Sequence, residues 1–150
     1  MRLPALPTED VLPGLETELT ALWRRARASV RDSARTLHPR LDPTVYPLLV
    51  LVLHAGSLRM SEAANRLSLD KSTLSRQVDA AVRLGLLERV VDSTDARARL
   101  LRLTPSGHTG LTALLTEQRD RWRASLAEWD REDVVRLTEL LNKLGESGVA

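Results

Sequence analysis

The sequence predicts a mainly α fold with one small β-hairpin, on three observations. Apolar residues recur at helical spacing over most of the chain, as at Leu15, Leu19, Leu22, Ala26 and Val30. Between residues 86 and 103 the period changes, and two short Val/Leu-rich runs flank a polar stretch. Aromatic residues are scarce (Trp23, Trp122, Trp129, Tyr46 and no Phe), so the core must be built from Leu, Val and Ala, which suits helices.

A chain of 150 residues with 43% hydrophobic side chains is of one-domain size and has enough apolar material for a core. It has no cysteine, which excludes disulfides, thiol redox sensing and thiolate metal sites. Pro4, Pro7, Pro13, Glu9 and Asp10 leave no apolar core for a signal peptide at the N-terminus. The longest apolar run, 45–53, is broken by Pro47 and is far shorter than the ~20 residues of a membrane span, so a cytoplasmic protein is expected. Net charge is +2, and of the 22 cations all but Lys71 and Lys143 are arginine. Arginine presents a planar fork suited to phosphates and guanine edges. Its placement matters more than its abundance, which composition bias also explains.

The elements follow in order. Thr8-Glu9-Asp10 marks a helix start with acids in the first turn, and the apolar seam from Leu15 to Val30 runs along that helix to His38-Pro39. Asp42 is a cap with Pro43 behind it, opening a second, nearly all-apolar and therefore buried helix over 44–54, which Ala55-Gly56 stops. A short third helix is expected over 57–67, then a tight turn at Ser68-Leu69. Asp70 caps a fourth helix over 71–84, with Leu74, Val78, Ala81 and Val82 inward and Ser72, Ser75, Arg76 and Asp79 opposite. Gly85 is placed as a C-cap. Residues 86–91 and 99–103 read as strands joined by a long polar loop over 92–98. Thr104 caps a fifth helix starting at Pro105 and carrying Leu111, Leu114, Leu115, Trp122 and Leu126. A last helix starts near Asp130.

Helix, short helix, turn, helix and hairpin, in that order, make a winged helix-turn-helix. A helix with small polar residues on one side can enter the major groove of DNA, and a basic hairpin beside it can reach the minor groove, where the negative potential draws arginine. Ser72, Thr73, Ser75 and Arg76 fit the first role and Arg97 the second. Residues 57–104 hold nine cations against six acids, a larger excess than that of the whole chain, as steering toward DNA requires. Asp79 would repel phosphates and is read as an internal ion-pair partner.

Residues 41–107 resemble the multiple-antibiotic-resistance regulator (MarR) family, through LDPTVYPLLVLVLHAG, SEAANRLSLDKSTLSRQVDAAVRLGLLER and DSTDARARLLRLTPSG. The last stretch is the most specific, because its Asp95-x-Arg97 pair and the following Leu103-Thr104 and Gly107 match the family's wing. The resemblance implies one MarR-like domain over 1–150, with dimerisation helices at 9–38 and 105–146 and a DNA-binding lobe at 41–104. It implies a homodimer, double-stranded DNA carrying a palindromic operator as the partner, and a repressor relieved by a small-molecule ligand held between the dimer helices and each lobe. It further implies that Asp95 orients Arg97 in the minor groove. The chain departs from the family where a Ser or Thr cap is usual and Arg59 stands, and where Leu is usual and Ala63 stands. Arg59 would instead set a guanidinium beside a phosphate at that helix N-terminus.

The DNA-contacting set is therefore Arg59, Ser72, Thr73, Ser75, Arg76, Asp95, Arg97 and Arg99, with Arg99 on a phosphate or the strand surface. Trp23, Tyr46 and His54 are candidates for an effector pocket, set against plain packing in the core or a dimer interface. His38, His54 and His108 have no ligand spacing, so no metal or cofactor is expected. No phosphate loop or nucleophile elbow points to an enzyme. Two readings stay open: a DNA-binding regulator, and a winged-helix interaction or dimerisation module without DNA binding.

Overall fold

The computed structural model describes residues 10–148. Thr8 and Glu9 of the expected first-helix start lie outside the described residues. Helix α1 spans Leu12–Leu37, with Pro13 in its first turn and neither a side-chain cap nor the expected acids there, since Asp10 stands before the helix. A 3-10 turn, Pro43–Val45, leads into helix α2, Tyr46–Ala55. Asp42 caps that turn and not α2 itself, which was expected to open there, accepting from the Thr44 amide at 2.8 Å and its hydroxyl at 2.7 Å. Strand β1, Ser57–Arg59, precedes helix α3, Met60–Leu67, and helix α4, Lys71–Arg83. Strands β2, Leu87–Asp92, and β3, Asp95–Leu103, form the hairpin. Helix α5 is Pro105–Ser125 and helix α6 is Arg131–Glu146. The chain divides into two compact units, the boundary falling inside α5 between Thr112 and Ala113.

The first unit holds the helix-turn-helix and the sheet. Its core is aliphatic: Leu48, Leu49 and Val52 of α2, Leu58 of β1, Ala63 of α3, Leu74 and Val78 of α4, and Leu87 and Leu101 of the hairpin are all buried. The near-continuous apolar α2 lies at the centre, as its composition requires. Ser68 takes a left-handed conformation, φ 52°, which turns the chain sharply between α3 and α4. The second unit carries the rest of α5 and all of α6, on which Trp122, Val135, Leu137, Leu140 and Leu141 are exposed.

Two expectations are corrected. Residues 57–59 are a strand and not the first turn of a helix, because they pair antiparallel with Leu100–Arg102, more than forty positions away. Gly56, at φ 75°, ends α2 and frees the chain to extend. The sheet is therefore three-stranded, ordered β1-β3-β2, rather than a lone hairpin. The long wing loop is also replaced by a tight turn at Ser93-Thr94. Asp92 closes it by accepting from the Thr94 amide at 2.9 Å and hydroxyl at 2.7 Å. The polar residues 95–98 belong to β3. Val91 faces Arg99 while Asp92 faces Asp95, so Ala96, Arg97 and Ala98 bulge out of register.

Candidate nucleic-acid interface

Helix α4 owes its start to Asp70, whose carboxylate accepts from the Ser72 hydroxyl at 2.6 Å, the Thr73 amide at 2.8 Å and the Thr73 hydroxyl at 2.7 Å. The Ser72 bond above all, followed by the Thr73 bonds, holds Asp70 ionised well below the usual carboxylate range. Arg76 follows one turn later, with one long contact to the Thr73 hydroxyl at 3.4 Å, and is exposed. Ser75 is half-buried beside it. Leu74, Val78 and Ala81 are buried on the opposite side, so burial of the apolar stripe turns Ser72 and Arg76 outward.

On the wing, Asp95 accepts from the Arg97 backbone amide at 3.0 Å. It shapes the bulge through the main chain, and the Arg97 guanidinium meets no protein partner among the described residues. Arg99 donates to the carbonyls of Ala96 and Ala98 at 3.2 and 3.3 Å, bracing the same bulge. Arg59 precedes α3 at its cap position without capping it. Its guanidinium lies on Asp92, 2.6 Å away, and that carboxylate raises the basicity of Arg59 further.

The cations of this lobe fall into two groups. Arg59, Arg66, Arg89 and Arg102 are ion-paired, to Asp92, Glu62, Asp79 and Glu88 respectively. Asp79 is thus the internal partner its position suggested. Among the described residues, Lys71, Arg76 and Arg83 on α4 and Arg97 and Arg99 on the wing have no acidic partner. Lys71 and Arg83 belong with the predicted set by this criterion. Residue type alone did not single them out, although Ser72, Arg76 and Arg83 share a face by helical spacing. Asp92 was also missed; Asp-Ser-Thr at 92–94 signals a turn, but its partner stands 33 residues away.

The effector candidates do not gather at one described cavity. Trp23 is half-exposed on α1, His54 is exposed at the end of α2, and Tyr46 is buried with its hydroxyl unpartnered among the described residues. A cavity of about 300 Å³ lies between the end of α2, the wing base and the start of α5, with Leu53, Leu103 and His108 on its wall, and none of Trp23, Tyr46 and His54 lines it. Among the described residues no cluster of His, Cys, Asp and Glu could hold a metal ion, and no helix is long and apolar enough to cross a membrane.

A capped helix with an outward polar face, set beside a three-stranded sheet ending in a basic hairpin, defines a winged helix-turn-helix protein. The MarR family model matches residues 41–98. Over 133 residues the chain is 32% identical to the uncharacterized HTH-type transcriptional regulator YxaD of Bacillus subtilis, covering 89% of this chain and 92% of that one. It is 24% identical over 130 residues to the HTH-type transcriptional regulator MhqR of the same organism, covering 85% and 90%. The chain belongs to the MarR family. Solved structures share its fold. RV1404 from Mycobacterium tuberculosis superposes with TM-score 0.75 at 22% identity over 98% of this chain and 100% of that one. A mutant MarR from E. coli, complexed with operator DNA, gives 0.66 at 21% identity over 93% and 99%.

Proposed function

We propose that this chain is a cytoplasmic, homodimeric transcriptional regulator that binds double-stranded DNA at an imperfect palindrome and represses until a small molecule releases it. The observation that carries the reading is the sorting of charge. Elsewhere on the lobe arginines are matched by acids, while the cations left without an acid among the described residues stand on α4 and on the wing strand at and beside the bulge. Unmatched cations in two neighbouring places are what a duplex with a charge every ~1.7 Å along its axis attracts. Ser72, Thr73, Ser75 and Arg76 face the major groove in this reading, and Arg97, backed by Asp95 and Arg99, enters the minor groove.

The MarR relative from E. coli was solved with operator DNA, which supports the same use of this face. The whole chain acts as one regulator, with residues 9–38 and 105–146 joining two copies and residues 41–104 reading DNA. No catalytic residue, metal or cofactor is assigned. The deciding experiment is selection of bound duplexes from random DNA, checked by electrophoretic shift. Enrichment of a two-fold symmetric sequence is the expected result. A dimer that enriches nothing and shifts no duplex would favour an interaction module instead.

A further inference from the structure

Arg59 reads from sequence as a phosphate contact, but its guanidinium is already committed. Its Nε and Nη2 both donate to one carboxylate oxygen of Asp92, at 3.0 and 2.6 Å. The other oxygen of Asp92 accepts from the Thr94 amide and hydroxyl that close the wing turn. Among the described residues this carboxylate bonds only to the wing turn and to Arg59, and Asp92 is only 6% exposed. The Arg59 side chain is half-exposed, so the pair is partly buried, and such a pair with charge-assisted hydrogen bonds is screened less than a fully exposed one.

Its place in the topology gives the pair a purpose. Arg59 is the last residue of β1, opposite Leu100 of β3, and Leu100 in turn faces Val90 of β2. The guanidinium thus crosses the middle strand to reach the outer one, two residues beyond Val90. One end of the bridge is covalently joined to α3, and the other lies five residues before Arg97. We propose that Arg59 is a positioning residue for DNA binding, a latch that fixes the wing to the start of the helix-turn-helix so that Arg97 is presented at a set offset from Arg76. The proposal rests on the DNA-binding reading given above.

The test uses the full chain with Arg59→Ala, Arg59→Lys and Asp92→Asn. Lysine keeps the charge but lacks the two-pronged fork, so it restores the latch only in part. In the DNA-free protein, hydrogen exchange at the amides of residues 93–99 should speed up in Arg59→Ala and Asp92→Asn, with α4 unchanged. Against the selected duplex, both should bind about tenfold more weakly, and Arg97→Ala should cost less in the Arg59→Ala background than in wild type. The dependence of log affinity on log salt should keep its slope, because no phosphate contact is lost. Two results overturn the latch: unchanged exchange in the wing, or a slope reduced by about 0.9 in Arg59→Ala while Asp92→Asn binds normally, which marks a phosphate contact. A wild-type protein that binds no duplex overturns the DNA-binding reading and the latch's purpose together, and the exchange data then separate a wing tether from that failure.

Discussion

A methyl group on Gly107 would overlap the carbonyl oxygen of Leu86 and stand 3.0 Å from its carbonyl carbon. The close approach belongs to a joint between the end of α4, the wing base and the first turn of α5. The Leu86 carbonyl accepts from the Thr104 amide at 3.1 Å, the Thr104 hydroxyl donates to the Gly85 carbonyl at 2.6 Å, and the Gly107 amide returns to the Thr104 hydroxyl at 3.0 Å. Thr104 is thus both the cap of α5 and its tie to the lobe.

Gly107→Ala should therefore destabilise the protein by about 1–3 kcal/mol, since the clashing atom is backbone and cannot swing aside. For a chain of this size each kcal/mol is worth ~2–4 °C of melting temperature. Gly110→Ala is the comparison: its methyl would meet only the tip of the Leu37 side chain, at 3.1 Å, which can yield. Calorimetry should rank Gly107→Ala well below Gly110→Ala, and equal melting temperatures would contradict the joint.

The two parts proposed to read DNA should separate by mutation. Arg76 projects from α4 beside the short Ser72 and Ser75, which in the proposed reading let the helix sit deep in the major groove. Arg76→Ala should cost about 1–3 kcal/mol and relax preference at one symmetric base position. Arg97→Ala should weaken binding to every sequence and lower the salt slope by about 0.9, because it removes a charge from the groove. Arg24→Ala on α1 should do neither. The measurements are binding isotherms at several salt concentrations and a repeat selection with Arg76→Ala. Wild-type salt dependence in Arg97→Ala would argue against its place in the groove.

Acid should loosen the wing. Asp92 is held down to about 2 in the folded protein by the Thr94 amide, the Thr94 hydroxyl and Arg59. In the unfolded chain it titrates near 3.9. Because the folded value is the lower one, this stabilisation is complete above about pH 4 and is lost as pH falls through about 2. Asp70 shifts in the same direction. Denaturant midpoints should therefore fall more steeply for wild type than for Asp92→Asn between pH ~4 and ~2, by about one proton's worth of slope. Above pH 5 the gap between them should be constant. Parallel curves over the acid range would show that Asp92 does not carry the linkage.

The parts of the fold legible in sequence were those whose cause is local. Asp42, Asp70 and Thr104 each cap within three residues of themselves, and the stripe Leu74–Val78–Ala81 betrays the inward face of α4 by spacing alone. What escaped depends on partners far along the chain. Ser57–Arg59 carries no period that separates strand from helix, and its ladder with Leu100–Arg102 decides the matter. Polar residues 95–98 read as loop because they bury little, although an exposed strand needs no apolar side chains. Of the proposed interface, α4 and Arg97 followed from residue type and position. The fate of Arg59 did not, since whether an arginine is free or spent depends on where Asp92 is folded to.

Assembly gives the last prediction. The α1 seam foreseen in the sequence remains partly uncovered in the single chain, with Leu15 46% and Leu22 41% exposed, and Trp23 on the same helix is 50% exposed. The second unit leaves Trp122 64%, Leu140 55% and Leu141 47% exposed. Large apolar side chains exposed at helical spacing normally find cover, and an uncovered apolar helix face marks an interface. A two-fold dimer formed by these faces covers them with copies of themselves. It should also set two lobes about one helical turn, ~34 Å, apart on DNA. Leu140→Glu with Leu141→Glu should then convert the dimer to monomer at micromolar concentration by sedimentation, since a carboxylate buried without a partner is costly. Trp122 and Trp129 should report the change directly, their emission shifting to the red and becoming open to iodide quenching as the interface parts. Helical circular dichroism should persist, because neither leucine belongs to the buried core. Affinity for the palindrome should fall to that for a single half-site. A wild-type protein that sediments as a monomer, with both tryptophans already quenched by iodide, would overturn the dimer.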